Sequence, residues 1–209
     1  MPRWDPNARE RLVTAALQLF SEQTYDKTTV GEIADRAGLT RSTFFRHFSD
    51  KREILAAGQE TLSRLFAEGI AAAPAQASPL TAVEYGLQAA AAAMTPFNRE
   101  LGPRLAAVIA TSTELQERDQ LKHVGLAASM AGALRARGAP VPVAALAGEV
   151  GMLAFKEAYA QWVRADNEQD LADLLGTAMS RLRDAIAELG LPFPGGCEAA
   201  PSAGQSVPR

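Results

Sequence analysis

Apolar residues recur along this chain at helical spacing. Leu12, Ala15, Ala16, Leu19 and Phe20 follow an i, i+3, i+4, i+7, i+8 stripe, which predicts a one-sidedly buried helix from about Asn7 to Gln23. Val30, Ile33, Ala34 and Ala37 make a second, shorter stripe, and Phe44 and Phe48 form the buried side of a third. Ile54, Leu55, Leu62, Leu65 and Phe66 predict a fourth helix from near Lys51 to about Ala72, ended by the two prolines of the 71–79 segment. Further helical segments are predicted at about 80–94, 97–112, 115–137, 143–165 and 169–189, with Pro and Gly between them. The last of these carries a broad stripe from Leu171 to Leu189. No alternating strand pattern with turn signals is present, so the prediction is an all-α chain.

The second and third segments carry unusually complete end signals. Thr29 can cap a helix start, and Glu32 three residues later completes a capping box. Gly38 suits the left-handed conformation that ends a helix, and Leu39 is an apolar plug in the turn. Thr40 can then cap the next helix. Two short helices joined by a tight glycine turn predict a helix-turn-helix. The polar face of the second helix starts with Arg41, Ser42 and Thr43, where such a helix presents side chains to base edges. From Arg41 to Arg52 the cations Arg41, Arg46, Lys51 and Arg52 face one acid, Asp50, a surface suited to phosphate.

These residues resemble the DNA-binding domain of the TetR family of bacterial transcriptional repressors. The matching parts are Thr28-Thr29, Ile33-Ala34, Gly38-Leu39-Thr40, the run Thr43-Phe44-Phe45-Arg46-His47-Phe48, and Lys51. The resemblance implies a three-helix helix-turn-helix domain over residues 1–50, followed by a helical effector-binding and dimerisation domain over 51–192. It implies phosphate contacts from Thr29, His47 and Lys51, and base-edge contacts from Arg41, Ser42 and Thr43. Phe45 stands where the family often has Tyr; without the hydroxyl it offers only apolar contact with sugar or a thymine methyl. Arg46 lies one turn further along the same face. Gly31 stands where some relatives have a long side chain, so the first of the two helices is expected to read few bases. The implied partners are a pseudo-palindromic double-stranded DNA operator, a second copy of the chain and a small effector. Repression is the commoner mode in the family, with activation by the same fold as the alternative.

Charge and composition modify this picture only slightly. Residues 1–52 hold nine Lys/Arg and seven Asp/Glu, whereas 53–209 hold twelve and seventeen. A basic end on an acidic body fits a protein that meets DNA with one face. No run approaches a membrane span. The opening MPRWDPNARE is charged and not read as a signal peptide, and a single cysteine, Cys197, fits a reducing compartment, so the expected location is the cytoplasm. The 193–209 tail, rich in Gly, Pro, Ser and Ala, is expected to be disordered.

Enzyme chemistry finds little support. There are two histidines, one of them in the recognition segment, and no nucleophile elbow, zinc-binding His-Glu-x-x-His, phosphate loop or dinucleotide fingerprint. No catalytic residue, metal or cofactor is expected. A helical small-molecule-binding module without DNA activity is the other alternative. In the body, Met94, Phe97, Met130, Met152, Phe155, Tyr159 and Trp162 are the large adaptable apolar side chains, and they are the expected lining of an effector pocket. Tyr85, Asn98, Arg104, His123 and Glu157 are its candidate polar anchors. Ala147, Gly148, Gly151 and Ala154 are expected to allow close helix approach in a dimer, together with the last helix.

Overall fold

The computed structural model describes residues 7–54 and 58–189. Among these are nine α-helices and no strand: α1 (Ala8–Gln23), α2 (Val30–Arg36), α3 (Arg41–His47), α4 (Gln59–Ala72), α5 (Pro79–Ala92), α6 (Pro96–Ile109), α7 (Thr113–Ala136), α8 (Val141–Trp162) and α9 (Leu171–Leu189). The all-α expectation holds. The expected tail, with Cys197, and the expected inward-facing Leu55 lie outside the described residues.

Two apolar clusters organise the helices. In the first, α1 lays Leu12, Ala16, Leu19 and Phe20 against Ile33 and Ala34 of α2 and against Phe44 and Phe48. Val108 and Leu115, from the corner between α6 and α7, are also members, and Leu101, Leu105 and Ile109 pack on it from α6. The three-helix head is therefore fused to the body through α6. The second cluster joins α4, α5, α7, α8 and α9 around Phe66, Ile70, Leu87, Leu126, Met130 and Leu175.

Helix 4 begins later than its apolar pattern suggests. Residues 51–54 form a turn, and α4 starts at Gln59 after Gly58, whose φ of 91° is left-handed. At the other end Arg137 of the α7–α8 connection donates to the carbonyls of Ala71, Ala73 and Pro74, at 3.2, 2.9 and 2.6 Å. A cation on the last carbonyls of a helix complements both their unmet acceptors and the dipole.

The small residues of α8 serve the monomer. A methyl group on Gly148 would stand 2.6 Å from the Ala127 carbonyl oxygen, and one on Gly151 would meet Val83 at 2.5 Å and the Met130 sulfur at 2.9 Å. Ala147 and Ala154 are buried in the same cluster. The expectation that these four leave backbone open to a partner is corrected: they let α8 approach α7 and α5. The large apolar residues that α8 leaves exposed are Val141, Val143, Leu146 and Leu153.

Candidate nucleic-acid interface

The head's local signals are realised atom by atom. Thr29 accepts from the Glu32 amide at 3.3 Å while the Glu32 carboxylate accepts from the Thr29 amide at 2.7 Å, closing the capping box. Gly38 has φ 64°, its N–H donates to Asp35 at 2.9 Å, and the Leu39 N–H donates to Ala34 at 2.8 Å. This pair of bonds with a left-handed glycine is a Schellman ending, and it turns the chain sharply into α3. Thr40 caps α3 by accepting from the Thr43 amide at 3.1 Å. Arg11 of α1 reaches the Ala37 carbonyl and so fixes the turn to the first helix.

Phe44 is fully buried and Phe48 nearly so, with ring centroids 5.7 Å apart, and Arg9 lies 5.2 Å over the Phe48 ring. With that back anchored, Arg41, Ser42, Phe45 and Arg46 are exposed on the outer face, and Thr43 is partly exposed with its hydroxyl 2.9 Å from that of Thr40. Phe45 is 56% exposed, a large apolar ring held out in water, edge-on to Phe44. Gly31 explains how Arg41 lies: a methyl group there would come 3.3 Å from Arg41 Nε, so the absent side chain leaves α2 open for the guanidinium. Two further cations in and just after the head are already employed. Arg36 pairs with Glu22 at 2.8 Å and Arg52 with Asp50.

His47 is half-buried, and its Nε2 is buried without a hydrogen-bond partner among the described residues. Burial, then the charges of Arg46 and Arg9, hold its pKa below the usual histidine value. Lys51 differs from the expectation of a side chain held out to phosphate. Its ammonium donates to the carbonyls of Tyr25, Thr28 and Asp26 at 2.7, 3.0 and 3.3 Å and lies 4.3 Å over the Tyr25 ring. Three backbone acceptors match the three ammonium protons, so Lys51 pins the α1–α2 loop beneath α3. No sequence motif announces such a contact, because its acceptors are backbone atoms some 23–26 residues away.

The body residues separate. Met130, Met152, Phe155 and Trp162 are buried in the second cluster, with Met94 and Tyr159 packed partly against it. Phe155 meets Phe66 edge-on at 5.5 Å and stacks on Tyr159 at 5.8 Å; Tyr159 and Trp162 rings are 5.7 Å apart. Phe97 does not join them. It lines an open groove against α1 and α2 with Arg11, Thr14, Gln18 and Arg36, because the early part of α6 runs beside the head. Of the candidate anchors, Tyr85, Arg104 and Glu157 are exposed, while the Asn98 carbonyl accepts from the Tyr159 hydroxyl at 3.1 Å. Among the described residues no group of three or more His, Cys, Asp or Glu could hold a metal, and no helix is long and apolar enough to cross a membrane.

A capped, glycine-turned helix pair with a polar outer face on an all-helical body defines a helix-turn-helix protein. The family model described as "Bacterial regulatory proteins, tetR family" matches residues 12–57, so this part of the chain is similar to the DNA-binding domain of that family. The HTH-type transcriptional regulator TcmR of Streptomyces glaucescens is 35% identical over 81 residues, covering 39% of this chain and 36% of TcmR. The match thus spans little more than a third of that relative's length. Among solved structures, the SmeT–triclosan complex aligns over 85% of this chain and 90% of SmeT, with a TM-score of 0.54 and 20% identity. SmeT is described as the repressor of a Stenotrophomonas maltophilia multidrug efflux pump. A TetR-family transcriptional regulator structure from Syntrophomonas wolfei aligns over 91% of this chain and all of the other, with a TM-score of 0.54 and 18% identity. At these identities the structural matches speak for the fold alone.

Proposed function

We propose that this chain is a DNA-binding transcriptional regulator, acting as a homodimeric repressor whose paired α3 helices enter successive major grooves of a pseudo-palindromic operator. The observation that carries this reading is α3 itself. Its back is locked by Phe44 and Phe48, while Arg41, Ser42, Thr43, Phe45 and Arg46 stand on one outward face. Arg41 to a guanine edge is the commonest specific contact type, and Thr43 and Phe45 suit a thymine methyl. Thr29 and His47 flank this face toward the phosphates, and Lys51 acts by holding the 25–28 loop from which Thr29 projects. The division of labour follows the chain, with a reading head to about residue 50 and an effector-binding, dimerising body from 51 to 192.

The dimer face in this proposal is the outer side of α8 with α9, where Leu146 and Leu153 are 62% and 48% exposed two turns apart. Large apolar residues at that spacing on one face mark an interaction surface. The effector is small and partly apolar, as triclosan is in the SmeT complex, and enters among Met130, Met152, Phe155, Tyr159 and Trp162 by opening the body cluster. It releases DNA only to the extent that it binds the DNA-incompetent arrangement more tightly. The cytoplasm is the matching location.

Selection from a random double-stranded DNA library, followed by fluorescence anisotropy on the enriched sequence, tests this. A two-fold symmetric consensus bound at two chains per site is the expected result. Failure to enrich any sequence would favour a small-molecule-binding module, and enrichment of a site bound by one chain would remove the dimer.

A further inference from the structure

A second place for a ligand lies at the junction of head and body, away from the body cluster. Beneath the turn that follows α3, a cavity of about 180 Å³ opens between Arg52 and the first half of α7. Part of its lining is apolar, from Ile109, Leu115 and Leu121; another part is cationic, from Arg52, Arg118 and Lys122. The cations differ in what they already hold. Arg52 is paired with Asp50, and Arg118 lies 3.7 Å from Glu114. Asp119, the acid in the lining, lies 3.7 Å from His123 Nδ1. Lys122 is mostly covered, and among the described residues its ammonium forms no hydrogen bond or ion pair. Burial holds its pKa below the usual lysine value, with Asp119 pulling the other way.

The Lys122 side chain is largely covered while its ammonium still meets solvent without a protein partner among the described residues, and an anion that reaches it supplies a charge-assisted hydrogen bond. We propose that this cavity binds a small organic carboxylate, its charged end on Lys122 and Arg118 and its apolar part against Ile109, Leu115 and Leu121. At roughly 30 Å³ per water in the liquid, 180 Å³ corresponds to about six waters, which suits an acid of the size of benzoate. Arg52 comes from the turn that follows α3 and Lys122 from α7, so the occupant lies beside the junction of head and body. The apolar lining distinguishes an organic acid from an inorganic anion, and the site does not depend on the chain binding DNA.

Isothermal titration of the full chain with sodium benzoate tests the site, with benzamide as the uncharged isostere and inorganic phosphate as the anion without an apolar part. Saturable benzoate binding at one per chain is expected, at least tenfold tighter than benzamide or phosphate. Lys122→Met, with its circular dichroism unchanged, should weaken benzoate at least tenfold. If Lys122→Met does not fold, Arg118→Gln on the same cavity decides, with a several-fold loss expected. No benzoate binding, equal binding of benzamide, or wild-type affinity in the folded variant would overturn the site, the last because binding elsewhere would ignore Lys122. Phosphate binding as tightly as benzoate would overturn the organic-acid assignment.

Discussion

Replacing Lys51 by Met separates two roles that a lysine behind a recognition helix can have. Met keeps most of the apolar stem and removes the ammonium. In the structure that ammonium donates to three carbonyls at 2.7, 3.0 and 3.3 Å and covers the Tyr25 ring at 4.3 Å. Hydrogen bonds to a charged group are worth about 1.5–3 kcal/mol, and an exposed cation–π contact about 0.5–1 kcal/mol. The loop is partly open to water, which takes over some of the acceptors, so the net loss is set at about 2 kcal/mol. For a chain of this size that corresponds to a fall in Tm of roughly 4–8 °C. Urea unfolding followed by circular dichroism measures the first quantity and calorimetry the second. Anisotropy on the selected operator at several salt concentrations measures the number of phosphates engaged. A structural Lys51 leaves that slope unchanged while stability falls. Unchanged stability with a slope lowered by about one unit would refute the reasoning and return Lys51 to the phosphate contacts.

Other outcomes follow from the same coordinates. Thr43→Ala should cost about 1–3 kcal/mol on the preferred operator and relax preference at one base position; uniform weakening across sequences would make Thr43 a backbone contact. Gly148→Ala drives a methyl against the Ala127 carbonyl oxygen and should lower stability by about 1–3 kcal/mol in urea, whereas an unchanged midpoint would show that α8 stands off from α7. Both histidines have folded pKa values below the ordinary one, chiefly through burial. The unfolded chain therefore takes up protons first as pH falls, so stability is full above about pH 6.5 and is lost as pH drops through the folded values. His47→Gln and His123→Gln should each flatten that decline in urea midpoints measured between about pH 7.5 and 5; a decline unaffected by either change would assign it to other groups.

The head was legible because its instructions are local. Thr29 with Glu32, Gly38 with Leu39, and Thr40 with Thr43 act within five residues of one another, through backbone geometry that a pattern of residue types specifies directly. The apolar stripe of α1 and the paired phenylalanines of α3 likewise need only the helical period to find the core. The body was legible as helices but not as a site. Periodicity places Met152, Phe155 and Tyr159 on one face of α8, yet it does not say which neighbour that face meets, and it grouped Phe97 with them although α6 carries Phe97 to the head.

The linear order of residues determined that the chain is helical, that it opens with a capped helix-turn-helix, and which side chains α3 turns outward, since each depends on interactions closed within a few residues. Tertiary structure decided the rest. Lys51 finds its acceptors in another loop, the glycines of α8 are filled by α7 and α5, Val108 and Leu115 complete the head's core from the body, and Lys122 is left without a partner at the seam. Those outcomes turn on distances between segments far apart in the chain, which close packing sets and no local pattern encodes.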